Sequence, residues 1–78
     1  MIDKLRNKSA SEIVSALIKD GFVLVRQRES HRTYSKGQCK VTVAYHHLRD
    51  TFPIGTLADI IKTVGWNEND CKKLGLIK

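Results

Sequence analysis

Cysteine is scarce in this chain, and the two present, Cys39 and Cys71, have no CxxC spacing. That excludes the disulfide framework of a small secreted domain and makes reduced structural thiols the simplest reading. Acidic clusters are also missing: the 8 Asp and Glu residues are scattered singly, which argues against a two-metal nuclease centre. His46 and His47 are adjacent, and neighbours in an extended chain point apart, so with His31 they make a poor zinc set. Neither a metal nor a small-molecule cofactor is expected. The opening stretch, Met1 to Arg6, lacks the apolar run of a signal peptide, and no later run is long enough to span a bilayer. A cytoplasmic protein without membrane contact is the expectation. There is no internal repeat and no low-complexity tract.

What the chain does have is positive charge and enough apolar residues to fold. Its 78 residues, 41% of them hydrophobic, predict one domain spanning 1–78 with a thin core. Lys and Arg number 14 against those 8 acids, giving a net charge of +6. Such a field attracts phosphate polyanions or an acidic protein surface. Arg26, Arg28, Arg32, Lys36 and Lys40 fall in the middle of the chain, where strands are expected, and are the candidate phosphate-binding residues.

Residues 1–8 are mostly polar and read as a loose lead-in. Ser9 and Glu12 have capping-box spacing, followed by Ala10, Ile13, Val14, Leu17 and Ile18 at helical intervals up to Gly21. Phe22 to Arg28 is β-branched and aromatic at its start and reads as a strand. His31 to Ser35 is a second strand. Lys36-Gly37-Gln38 is a turn in which Gly37 can take a positive φ, and Cys39 to Tyr45 alternates as a third strand. If Tyr34 faces the core, Arg32 and Lys36 share its side, while His31, Thr33 and Ser35 face outward. Val41, Val43 and Tyr45 share one face of the third strand, and Lys40, Thr42 and Ala44 the other. His46 to Pro53 is a loop. Gly55-Thr56 opens a helix carrying Leu57, Ile60, Ile61 and Val64, closed by Gly65. Asn67 caps a short terminal helix with Cys71 and Leu74. The order is α-β-β-β-α plus a short extra C-terminal helix. It predicts an α+β fold in which both main helices cover one face of a three-stranded antiparallel sheet. Double-stranded-RNA-binding domains share that layout.

His31, on the open face among cations, is the candidate catalytic residue. Imidazole can both remove and deliver a proton at cellular pH. RNA carries its own nucleophile in the 2′-hydroxyl, so cleavage needs a proton acceptor, a donor and cations for the phosphorane, but no metal. Ser30, Arg32 and His46 are possible supporting groups: Ser30 as a phosphate or turn ligand, His46 as a second proton-transfer or phosphate-contacting group. Thr56, near a helix start, could receive a phosphate. Tyr45 and Trp66 adjoin apolar runs and read as packing rather than as base-stacking platforms. The residues alone leave three readings open. These are an RNA-cleaving enzyme, a non-catalytic double-stranded-RNA-binding module, and a basic protein-interaction domain.

The string from Gly21 to Arg32, with Val25-Arg26-Gln27 followed by Ser30-His31-Arg32, resembles the HicA toxins, the YcfA-like group of bacterial mRNA interferases. The likeness continues through Val43-Ala44-Tyr45-His46 and Ile54-Gly55-Thr56-Leu57, is strongest over 9–66, and is specific in its combined spacing. It implies the double-stranded-RNA-binding-domain-like fold, endoribonuclease activity on mRNA that blocks translation, and neutralisation by a HicB antitoxin. The family's essential histidine falls on His31, and the histidine ending its Val-Pro-Val-His segment falls on His46. Two positions depart from the family pattern. Glu29 stands where glycine usually precedes Ser-His, and Ala44 replaces the proline. Glutamate adds a like charge facing RNA and disfavours a positive φ.

Overall fold

A computed structural model describes all 78 residues. Helix α1 (Ala10–Lys19) leads into strands β1 (Val23–Arg28), β2 (His31–Lys36) and β3 (Cys39–Ala44), then α2 (Ile54–Val64) and the short α3 (Glu68–Lys73). The strands form one antiparallel sheet in the order β1-β2-β3. This is the α+β arrangement expected from the chain, and strand ends fall within one residue of the expected ones. No helix is long and apolar enough to cross a membrane.

Helices α1 and α3 begin where side chains cap their first donors. Ser9 Oγ accepts the Glu12 N–H at 3.2 Å, and the Glu12 carboxylate accepts the Ser9 N–H at 3.0 Å, closing the capping box. The next two donors of α1 reach across the molecule: Ala10 N–H to Asp50 O at 2.7 Å and Ser11 N–H to Leu48 O at 2.8 Å. The loop after β3 is thereby fixed to the start of α1, and that helix end is fully satisfied. Helix α2 starts at Ile54 with Pro53 in the cap position, earlier than Gly55-Thr56, and without a side-chain cap. Asn67 and Asp70 cap α3 reciprocally.

The core lies between the helices and one face of the sheet. Tyr34, Val41 and Val43 meet Ile13, Ala16 and Leu17 of α1 and Leu57, Ile60 and Ile61 of α2 in a single cluster. Tyr45 and Trp66 belong to it as packing residues, and so does Cys71, whose thiol is pushed up by burial. The N-terminal residues are not a loose lead-in. Ile2–Leu5 form a 3-10 turn packed on α2, and Leu5 is wholly buried. Met1, Ile2 and Leu5, set among charges over so short a stretch, leave no periodic trace in sequence, which is why the segment reads as polar.

Asp20, at the end of α1, joins three elements. It accepts the Trp66 indole N–H at 2.9 Å and the Lys36 ammonium at 3.1 Å. The indole bond first, then Lys36, hold its carboxyl below the ordinary value of 3.8. A carboxyl lowered on folding contributes stability that is present above its unfolded value and lost as pH falls through the folded one. Unfolding followed against pH should therefore show stability declining below about pH 4. Asp20→Asn should cost about 1–2 kcal/mol at neutral pH and flatten that decline. At the alkaline end, burial raises the Tyr34 phenol to about 12. A raised phenol contributes stability below its unfolded value of 10.0 that is lost on the way to 12.

Candidate active site

A single irregularity in β1 builds the site. Val23 pairs with Ser35 and Leu24 with Tyr34, then the register shifts so that Arg26 faces Thr33 and Arg28 faces His31. Without this bulge at Val25, strict alternation from Leu24 would turn Arg26 and Arg28 towards the core face. The extra residue moves both onto the open face beside His31. A shallow cleft of about 160 Å³ results, lined by Arg26, Arg28, His31 and Thr33. His31 is exposed there, with Arg28 across from it on β1 and Ala44 on β3. Neither arginine has an ion-pair partner, so both charges are free to meet an anion. Thr33 is held by a 3.0 Å hydroxyl contact with Thr42. No three His, Cys, Asp or Glu side chains gather into a metal-binding group.

The other candidate residues divide between supporting positions and places away from the cleft. Arg32 sits on the core side of β2. Its Nη1 donates to Ser30 O at 3.1 Å and to Tyr45 O at 2.7 Å, while its guanidinium lies 3.9 Å from the Tyr45 ring centroid. Ser30 O also accepts the Tyr45 N–H at 3.1 Å. Arg32 thus ties the turn before His31 to the end of β3, the point from which His46 departs. Lys36 is spent on Asp20 and is not brought to the cleft. Lys40 shares the open face but pairs with Ser35, about 13 Å along the strand from His31. It lines a separate cleft of about 350 Å³ between β3 and α2, together with Thr42, Thr56, Asp59 and Thr63.

His46 is exposed just beyond β3, at the end of the sheet that carries His31. Two residues of chain past Ala44, plus one strand spacing, put its Cα at most about 13 Å from that of His31. The Asp50 carboxylate fixes the loop, accepting the N–H groups of His46 and His47 at 3.0 Å each. These two bonds, His47's the larger, lower the Asp50 carboxyl. Neither Asp50 nor the stapling role of Arg32 is evident from the sequence. Aspartate three or four residues after candidate donors is the only local signal, and it fits many turns.

The two hairpin turns show what Glu29 does. Glu29-Ser30 and Gly37-Gln38 are both two-residue links with a positive φ at the first position, 57° at Glu29 and 58° at Gly37. Glycine suits that position, and only the second turn has it. Glu29 adopts the conformation nonetheless and makes no ion pair with His31. A left-handed non-glycine residue costs about 1–2 kcal/mol, and glycine returns part of that as unfolded-chain entropy. Glu29→Gly should therefore stabilise the protein by about 0.5–1 kcal/mol in denaturant unfolding. It also removes an anion beside Arg28 at the rim of the cleft.

No curated protein and no solved structure matches the chain. The family model described as HicA toxin of bacterial toxin-antitoxin matches residues 10–66. The match starts at the first residue of α1 and ends at Trp66, so it includes the whole sheet, the bulge and both histidines of the open end. The chain belongs to the HicA toxin family of bacterial toxin–antitoxin systems.

Proposed function

We propose that the protein is a toxin endoribonuclease that cleaves mRNA in the Arg26–Arg28–His31–Thr33 cleft without a metal cofactor. The observation that carries this reading is the bulge. It puts two guanidiniums without ion-pair partners and an exposed imidazole on one face of the sheet. A phosphodiester seated against Arg26 and Arg28 has its charge offset before reaction and more so in the phosphorane, where charge accumulates. His31 takes the proton of the 2′-hydroxyl as that oxygen attacks phosphorus, and a second proton is delivered to the departing 5′ oxygen. His46 is the second proton-transfer group, facing the departing 5′ oxygen. The bond from phosphorus to that 5′ oxygen breaks, leaving a 2′,3′-cyclic phosphate on one fragment and a 5′-hydroxyl on the other. Lys40 extends the positive face along the sheet for flanking phosphates. Arg32 and the Ser30 carbonyl hold the geometry and leave phosphate contact to the others. The working compartment is the cytoplasm, where mRNA is met, and a HicB-type antitoxin silences the protein during normal growth.

Purified protein incubated with mRNA in EDTA should yield fragments ending in 2′,3′-cyclic phosphate. Cleavage that EDTA abolishes, leaving 5′-phosphates, would overturn the mechanism.

A further inference from the structure

Strand β1 is unusual in being exposed at all six positions. Val23, Leu24 and Val25 are 58%, 46% and 54% exposed, and Ile18, on the last turn of α1, is 53% exposed. Strand β1 lies at the sheet edge, and none of the backbone hydrogen bonds outside regular elements involves Val23–Arg28. Its outward N–H and C=O groups are therefore unpaired. The outward backbone groups of β3 are unpaired as well, but that strand buries Val41 and Val43 and is packed by α2. Exposed apolar edges template strand addition, and proteins ordinarily cover or charge them.

The charge beside this edge selects the partner. Arg26 and Arg28 stand on its open face without carboxylate partners, on a chain of net charge +6. A second copy would set bulge against bulge and +6 against +6. We propose that β1 receives an extended acidic segment of the antitoxin protein as a fourth strand. Alternate residues of that segment are acidic and lie beside Arg26 and Arg28, while the intervening ones are apolar and extend the Leu24 side. Cross-strand neighbours have Cβ atoms about 4.5–5.5 Å apart, so the carboxylates would neutralise both cleft cations without touching His31. Docking stands on the edge itself; its silencing effect rests on the RNA reading of the cleft.

The probe is a ten-residue peptide alternating glutamate and valine, titrated into the full, isotope-labelled chain. Amide shifts should concentrate in Val23–Arg28 and spare Cys39–Ala44. Affinity should fall at least tenfold when lysine replaces glutamate in the peptide, and again in a Leu24→Lys protein. The paired reversal Arg26→Glu and Arg28→Glu should invert the preference to the lysine peptide, a comparison that holds even if Leu24→Lys fails to fold. Shifts centred elsewhere, or none at millimolar peptide, overturn the proposal. So do concentration-dependent β1 shifts without peptide, which would assign the edge to a second copy. Cleavage of mRNA in EDTA is measured on the same sample. Cleavage without peptide binding removes the docking proposal alone, and peptide binding without cleavage removes the RNA reading alone.

Discussion

A His31→Ala protein is expected to cleave RNA about a hundred- to ten-thousandfold more slowly, the usual range for loss of a general acid–base group. It should bind the same RNA with an affinity within about threefold of the original, because the proposed mechanism assigns the phosphate charge to Arg26, Arg28 and Lys40. The fold should be unaffected. His31 is exposed on the open face, and its side chain makes no hydrogen bond within the protein. Removing it leaves no cavity and no orphaned partner, so unfolding should change by no more than about 0.5 kcal/mol. Single-turnover cleavage, equilibrium binding and denaturant unfolding on one preparation separate these quantities. A comparable loss of binding would mean that His31 acts as a phosphate ligand.

Arg32 carries the second large effect, and in the proposed mechanism it acts as a positioning residue. Its side chain makes two charge-assisted bonds from one nitrogen and stacks on Tyr45. Arg32→Ala should cost about 2–4 kcal/mol, because the Tyr45 carbonyl loses its donor and the stacked cation is gone. Arg32→Lys distinguishes positioning from phosphate binding. An ammonium keeps the charge, but it cannot lie flat on the ring while bridging two carbonyls. If Arg32 bound phosphate, lysine would preserve most of the activity. As a staple between the His31 turn and the end of β3, Arg32 should be poorly replaced by lysine. The variant should lose at least about tenfold in kcat, with KM little changed, and most of the stability lost in Arg32→Ala. Rescue of cleavage by lysine would contradict the positioning role.

The elements were legible because their signals are local. Ser9 and Glu12 are three residues apart and cap each other. Gly37 takes the positive φ that its turn requires, and Asn67 caps α3. The parity of Tyr34, Val41 and Val43 followed from strand alternation, which placed His31 outward. Parity is no guide to the face of Arg26 and Arg28, since nothing in Val23–Arg28 announces the bulge. An alternating reading of β1 from Leu24 points them inward. The partners of Lys36 and Arg32 were equally hidden. Lys36 meets Asp20 across 16 positions, and Arg32 meets Tyr45 across 13. Such pairings exist only once the sheet has closed. Leu5 was missed because one buried leucine on a short turn has no period. Glu29 shows tertiary context overriding local preference: the hairpin imposes a positive φ on a residue that resists it.

Site chemistry was thus half visible. The sequence identified an imidazole among cations; the fold decided which cations share its face. Arg26 and Arg28 do, Lys40 does at a distance, and Arg32 and Lys36 are engaged on the other side.

The most direct test of the central claim is paired expression of the unaltered chain and His31→Ala in growing bacteria, scored for growth at matched protein levels. The unaltered chain should arrest growth while mRNA fragments accumulate, and His31→Ala should permit growth with mRNA intact. Equal arrest by both proteins would contradict the claim and leave RNA binding, without cleavage, as the protein's means of action.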